Sequence, residues 1–443
     1  MNIAIIGRNP KDAYSGGRYH AWMLAEQLSY NKHKVTYYTN VKPIFERDFS
    51  EYGNYIQVVL IDLHFKDFKK VKEKYEIIFM IPDASRDLRF YKNIIKFSLL
   101  KNSKLVLLNF ETPNWFNQYS VIQRDEKLWN GWVLVSKFAS CILSASRESE
   151  KYSKKFYKHI PLESKVAYCY PSINSKVADN VFYNTSISKE KRIGITARFY
   201  FSEHKGSFNI PDFLSEDFRG YTFVILVGIG EIPSEILDEL SEKAERYGIF
   251  LEIKKSVSDY DKFVEIKKAT VWLFPSLFEG FGYPPIEAQY LNTHCVAFDL
   301  PVLRETSPDI FYAKLGDLDG FKKKIKEAIN SCSKNYRKNI TNIASFEHSS
   351  NNLEKIIKEI ALLPNNDFGT IRHLLKNSKR EKIMNLCGDM RWVRLNNYLF
   401  LYKSKKIGLI AFISVSLYDL MLRKWLSKKI RDKIKEIYFI LRS

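Results

Sequence analysis

Short, wholly apolar runs alternate with stretches of helical periodicity through roughly the first 345 residues. Asn2–Ile6, Lys34–Tyr38, Gln57–Ile61, Ile77–Met80, Leu105–Leu108, Trp132–Val135, Cys141–Leu143 and Val166–Tyr170 each read as a strand. Several are apolar on both faces, as in a parallel sheet covered by helices on both sides. Between the first two, Trp22, Leu24, Ala25 and Leu28 recur on one side of a helical stretch. Strand, glycine turn, helix and strand is the opening of a doubly wound α/β domain. The pattern breaks in the polar segment Ala178–Lys191 and then restarts. Arg192–Thr196, Tyr221–Val227, Phe250–Lys254, Val271–Phe274 and His294–Phe298 are its strands, with helical patterns between them. No fixed residue period relates the two halves, so they are two copies of one architecture without an evident sequence duplication. The expected organisation is a Rossmann-like domain over residues 1–185 and a second over 186–345. A third region, 346–443, opens on an amphipathic helix at Leu353–Leu363 and stays basic and helical.

Composition narrows the class. With 443 residues, 45% of them hydrophobic, the chain fills more than one core and is not disordered. Cys141, Cys169, Cys295, Cys332 and Cys387 form no CxxC pair and no zinc-ligand spacing with histidine, which fits a reducing compartment. The N-terminal run Met1–Gly7 lacks a basic leader and reads as a buried strand. A cytoplasmic protein is expected.

Charge separates the tail from the rest. Of the formal net charge of +20, residues 366–443 carry +12, with 18 Lys or Arg against 6 Asp or Glu. Ile407–Leu422 is an apolar run of 16 residues, short for a spanning helix, which needs about 20. Leu422, Leu426, Ile430, Ile434, Ile437 and Leu441 then recur at helical spacing, with Lys428, Lys429, Arg431, Lys433 and Lys435 between them. Such a helix suits an anionic membrane surface, each cation contributing about 1 kcal/mol. The alternatives are packing on the first domain and dimerisation.

The strongest chemical signal is Pro275-Ser276-Leu277-Phe278-Glu279-Gly280-Phe281-Gly282-Tyr283-Pro284-Pro285-Ile286-Glu287. It follows the strand Val271–Phe274, beyond whose carboxyl end ligands bind in open α/β sheets. Gly280 and Gly282 leave room for a ligand, and a helix beginning near the prolines directs its N-terminus at an anion. Glu279 on the loop and Glu287 on the helix grip two hydroxyl-bearing parts of one ligand in this reading. At the restart, Arg198 ends a strand and Lys205 follows seven residues later.

Two glutamates at this spacing around a glycine loop resemble the signature of retaining GT-B glycosyltransferases, in particular glycosyltransferase family 4. The resemblance covers roughly residues 1–345. It implies a GT-B fold, with two Rossmann-like domains facing a cleft. It also implies that Glu279 approaches the donor sugar and Glu287 binds the nucleotide ribose. Arg198 and Lys205 match the family's cations that neutralise the donor diphosphate, where fixed positive charge stabilises a leaving group gaining negative charge. Ser15-Gly16-Gly17-Arg18 matches the loop whose amides approach the donor phosphate. Leu300–Glu305 looks like the family's following loop, which ends in a glutamate. Phe281 and Gly282 complete the expected donor set.

One departure stands out. The stretch Asn109–Trp115 has no histidine where many members carry one near the donor sugar. Glu111 and Asn114 are the candidates for sugar or acceptor contact there, and His20, His33 and His204 read as surface or capping residues. No Asp-x-Asp motif follows a strand, so neither a metal nor a cofactor is implied beyond the nucleotide sugar. The expected function is transfer of a sugar, with retention, to a lipid-linked glycan acceptor at the inner face of the cytoplasmic membrane, in surface polysaccharide or glycoconjugate synthesis. The competing readings are an inactive GT-B scaffold and a nucleic-acid-binding protein acting through the basic tail; the tail carries no nucleic-acid module.

Overall fold

The computed structural model describes residues 1–9, 15–45, 56–62, 71–83, 88–119, 123–158, 160–199, 203–332 and 335–363. The basic tail, including the proposed membrane helix and Cys387, lies outside them.

The first domain is built on a wholly parallel seven-stranded sheet. Its strands are β1 (Asn2–Ile6), β2 (Lys34–Thr39), β3 (Ile56–Leu60), β4 (Ile77–Met80), β5 (Lys104–Asn109), β6 (Cys141–Ser144) and β7 (Lys165–Tyr168). They run in the order β3-β2-β1-β4-β5-β6-β7. The second domain has β8 (Arg192–Arg198), β9 (Thr222–Ile229), β10 (Phe250–Lys255), β11 (Val271–Phe274), β12 (His294–Phe298) and β13 (Phe311–Ala313). These are also parallel, in the order β10-β9-β8-β11-β12-β13. In both sheets the chain works outward from its first strand and then returns to the other side of it. Each sheet therefore has a switch point, between β1 and β4 and between β8 and β11, where diverging loops open a crevice.

The central strands β4 and β11 are buried throughout, which explains why they read as unbroken apolar runs. One expected strand is a helix. Trp132–Val135 lies within the helix Asn130–Ser136. A four-residue apolar run has no period long enough to separate a buried strand from a buried helix. What selects the helix is packing. Gly131 sits so close to the Tyr91 ring that a Cβ would lie 2.2 Å from it.

The helix Phe346–Leu362 leaves the second domain and packs on the helix Gly16–Tyr30 of the first. Gln27 donates to Ser349 at 2.8 Å, Asn31 to the Ser350 carbonyl at 2.8 Å, and His33 meets Glu354 at 2.7 Å. His33 is thus a buried contact residue of this crossing, not a surface histidine. Among the described residues no helix is long and apolar enough to cross a membrane.

Candidate functional site

The two switch points face one another, and between them lies a cavity of about 750 Å³. Its first-domain wall is formed by residues that follow β1, β2, β4 and β5: Arg8 and Asn9, Asn40, Pro82 and Asp83, Phe110 and Glu111. Gly16, Gly17, Arg18 and His20 add the start of the first helix. The second-domain wall is Arg198 at the end of β8, His204 and Lys205, and Phe278–Tyr283 after β11.

The loop after β11 is held by close backbone approach. A Cβ on Gly280 would meet the Phe110 carbonyl oxygen of the facing domain at 2.5 Å, and Ser146 donates to the Gly280 carbonyl at 2.9 Å. Gly282 takes a left-handed conformation (φ +90°) and caps the helix Tyr283–Tyr290, which carries prolines in its first turn. Phe278 reaches across to the first domain, with ring centroids 4.9 Å from both Trp115 and Phe116. Glu305, expected in a loop, lies in the short helix Pro301–Thr306 and accepts from the amides of Arg147 and Glu148 at 2.8 and 3.0 Å. Its carboxylate thereby caps a first-domain helix at the N-terminus and ties the two domains beside the cleft.

Within the cavity, Lys205 donates to Glu279 Oε1 at 2.6 Å. Arg198 lies close enough to Glu279 for their charges to interact, and its backbone amide donates to Ser207 at 2.9 Å. Lys205 is presented by a single 3₁₀ turn, Glu203–Lys205, which Gly206 ends in a left-handed conformation (φ +67°) against the Pro275 carbonyl. The expected catalytic trio of Glu279, Arg198 and Lys205 is therefore assembled on one wall. Gly16, Gly17, Phe281 and Gly282, expected at the donor, also line the cavity.

Glu287 does not line it. Its carboxylate is buried in a polar network beneath the cleft, where Lys262 donates to Glu287 at 2.7 Å and to Asp259 at 2.9 Å. Tyr19 of the first domain donates to the other Asp259 oxygen at 2.8 Å. Burial pushes the Glu287 carboxyl above its usual range, against the pull of Lys262. Asn114 is exposed in the first turn of the helix Pro113–Tyr119 and also lies off the cavity. Its partner in the expectation, Glu111, does line the cavity, paired with Arg124 at 3.0 Å. Burial raises the Glu111 carboxyl, opposed by Arg124 and Lys205.

Several cavity residues went unnoticed in the sequence. Arg8 and Asp83 pair at 3.2 Å at the ends of β1 and β4, and switch-point logic applied to the first domain would have found them. Arg124, stacked 3.8 Å over the Phe116 ring, comes from an irregular segment with no signal. His20 and His204 are cleft histidines, not surface ones. Burial lowers His20 to about 4, and burial with Lys205, Arg124 and Arg198 nearby drives His204 down still further. Both rings are neutral at neutral pH. Among the described residues no group of three or more His, Cys, Asp or Glu side chains is arranged to hold a metal ion.

No protein-family model matches the chain, and no curated protein matches it in sequence. Its fold has many solved counterparts. A sucrose-phosphate synthase from Thermosynechococcus elongatus superimposes with a TM-score of 0.63 at 15% identity, over 81% of this chain and 98% of that one. HepE from Anabaena, in complex with UDP-glucose, gives 0.61 at 12% identity over 81% and 100%. A glycosyltransferase from Rickettsia africae gives 0.60 at 15% over 82% and 98%. The fold is GT-B, two parallel-sheet Rossmann-like domains.

Proposed function

We propose that this protein is a glycosyltransferase that moves a sugar from a nucleoside-diphosphate sugar to a glycan acceptor. The observation that carries the reading is the trio Lys205, Arg198 and Glu279 at the second switch point, facing the Gly16-Gly17 helix start across the cavity. As the bond from the sugar C1 to the diphosphate oxygen breaks, the diphosphate gains negative charge. Arg198 and Lys205 are fixed cations that stabilise it. Glu279, held by Lys205, is the acceptor for hydroxyls of the donor sugar. The bond from C1 to the acceptor oxygen forms as the acceptor hydroxyl gives its proton to the departing diphosphate. This chemistry retains the anomeric configuration, as the family 4 resemblance implies, and the cations fill the role that a divalent metal would otherwise serve. The UDP-glucose bound by HepE makes UDP-hexoses the first donors to try.

Within the same reading, the tail of net charge +12 holds the enzyme on an anionic membrane surface at the cytoplasmic face, where a lipid-linked acceptor is presented. Such a reaction belongs to surface polysaccharide or glycoconjugate synthesis. The test is a thermal-shift screen of nucleotide sugars, because a ligand that binds the native state raises its melting temperature. A rise with one sugar nucleotide, lost in Arg198→Gln, supports the reading. No rise with any of them removes its basis.

A further inference from the structure

The cations of the cleft fall on two opposite walls. Arg198 and Lys205 stand on the second-domain wall, and the donor diphosphate accounts for them. On the first-domain wall Arg124 is taken up by Glu111, while Arg8 and Arg18 stand at the ends of β1 and β4. Arg18 is the third residue of the helix Gly16–Tyr30, whose first turn contains no acid and whose cap Ser15 makes no side-chain bond. A cation in the first turn opposes the helix dipole, so this location is unfavourable for Arg18 unless an anion joins it.

The guanidinium of Arg18 is aimed at the carboxyl ends of the central strands. Its Nε donates to the Arg8 carbonyl, and Nη1 donates to the Pro82 carbonyl at 3.0 Å. Among the described residues the remaining three of its five N–H groups have no partner. The nearest carboxylate, Asp83, is engaged by Arg8 at 3.2 Å. Arg18 therefore lines the cavity as a charge with backbone dipoles around it and, among the described residues, no ion pair of its own. A guanidinium with free forked donors is matched by an oxyanion. Asn9 and Asn40 line the cavity beside it and add neutral polar edges.

We propose that this wall holds an oxyanion carried by the acceptor, a phosphate or a carboxylate on the sugar that receives the transfer. The inference rests on the glycosyltransferase reading and narrows its acceptor to an anionic one. Arg18 pairs with the oxyanion directly, and Arg8, shared with Asp83, adds the second positive charge.

The test uses the full-length protein saturated with UDP, titrated with inorganic phosphate by calorimetry, then with methyl glucuronide and the neutral methyl glucoside. The expected result is a phosphate or glucuronide site that persists with UDP bound, while the glucoside does not bind. Affinity should fall about tenfold in Arg18→Gln, which keeps a side-chain donor for the carbonyls but removes the charge. UDP affinity should stay within about twofold, because removing one of two separate sites leaves the other intact. Arg8→Gln, on a partly exposed side chain, carries the same test if Arg18→Gln does not fold. Absence of any anion site in the UDP-saturated protein overturns the proposal, as does unchanged binding in the variants. A parallel loss of UDP affinity also overturns it, by assigning Arg18 to the donor. If UDP does not bind, GDP or ADP takes its place in the titration; failure of all three to bind the native protein is a different result, and it removes the glycosyltransferase reading.

Discussion

Lys205 Nζ lies 2.6 Å from Glu279 Oε1, which couples a cation suited to a leaving phosphate with a carboxylate suited to a sugar hydroxyl. The two residues are 74 positions apart and arrive from the loops after β8 and β11, the strands that flank the second switch point. Lys205→Gln is expected to lower kcat by about 10²–10³-fold, the usual effect of removing one preorganised electrostatic group. Because the Lys205 side chain is partly exposed at the cavity and packs in no core, circular dichroism and the melting temperature should change little. Wild-type turnover in Lys205→Gln would remove Lys205 from the chemistry.

Lys262 has a different kind of role. It is buried between Asp259 and Glu287, and together with Tyr19 it joins the two domains. Lys262→Met leaves two buried carboxylates with no cation, which is expected to destabilise by about 3–5 kcal/mol. Glu287→Gln keeps the shape and a hydrogen-bonding group and should destabilise less. Urea unfolding followed by fluorescence measures both. An unchanged midpoint in Lys262→Met would show that the network contributes nothing to folding.

These two clusters mark how much of the site was legible in sequence. Glu279, Arg198 and Lys205 sit at strand ends and in a glycine loop, where pattern and chemistry coincide, and the structure brings them together. Glu287 shares their motif but lies inside, because the helix that begins at Tyr283 turns its fifth residue toward Lys262. Nothing in the sequence marks Lys262, a mid-helix lysine like many on solvated faces. The strands β1, β4, β11 and β12 were legible because burial on both faces leaves nearly uninterrupted apolar runs. Trp132–Val135 misled for the same reason, since a helix buried all round looks identical over four residues. Phe311–Ala313 is too short to register as a strand at all.

His20 contributes, together with His204, to the acid side of the stability profile. Its folded-state value of about 4 lies below the unfolded value near 6.5. Between these values the unfolded chain binds more protons, so stability falls as the pH drops from 6.5 to 4. The full effect is about 3 kcal/mol. His20→Phe should make that part of the curve of stability against pH less steep, with His204 supplying the remaining slope, and leave the region above 7 unchanged. An equally steep acid limb in the variant would show that His20 contributes nothing to it.

For the tail, deletion of residues 404–443 should abolish binding to vesicles containing phosphatidylglycerol while nucleotide binding persists. Binding of the intact protein should fall partly with salt, because exposed charges are screened over about 8 Å at physiological ionic strength. The truncated protein sedimenting fully with these vesicles would show that the tail is not the anchor.

The central claim is sugar transfer from a nucleotide sugar bound between the two switch points. The most direct measurement is release of nucleoside diphosphate by the full-length protein from a panel of UDP-, GDP- and ADP-hexoses, in parallel with Arg198→Gln. The account predicts release from at least one donor, lowered about 10²-fold or more in the variant, because the lost cation stabilises the departing diphosphate. Release that is absent for every donor, or equal in the wild type and Arg198→Gln, would contradict it.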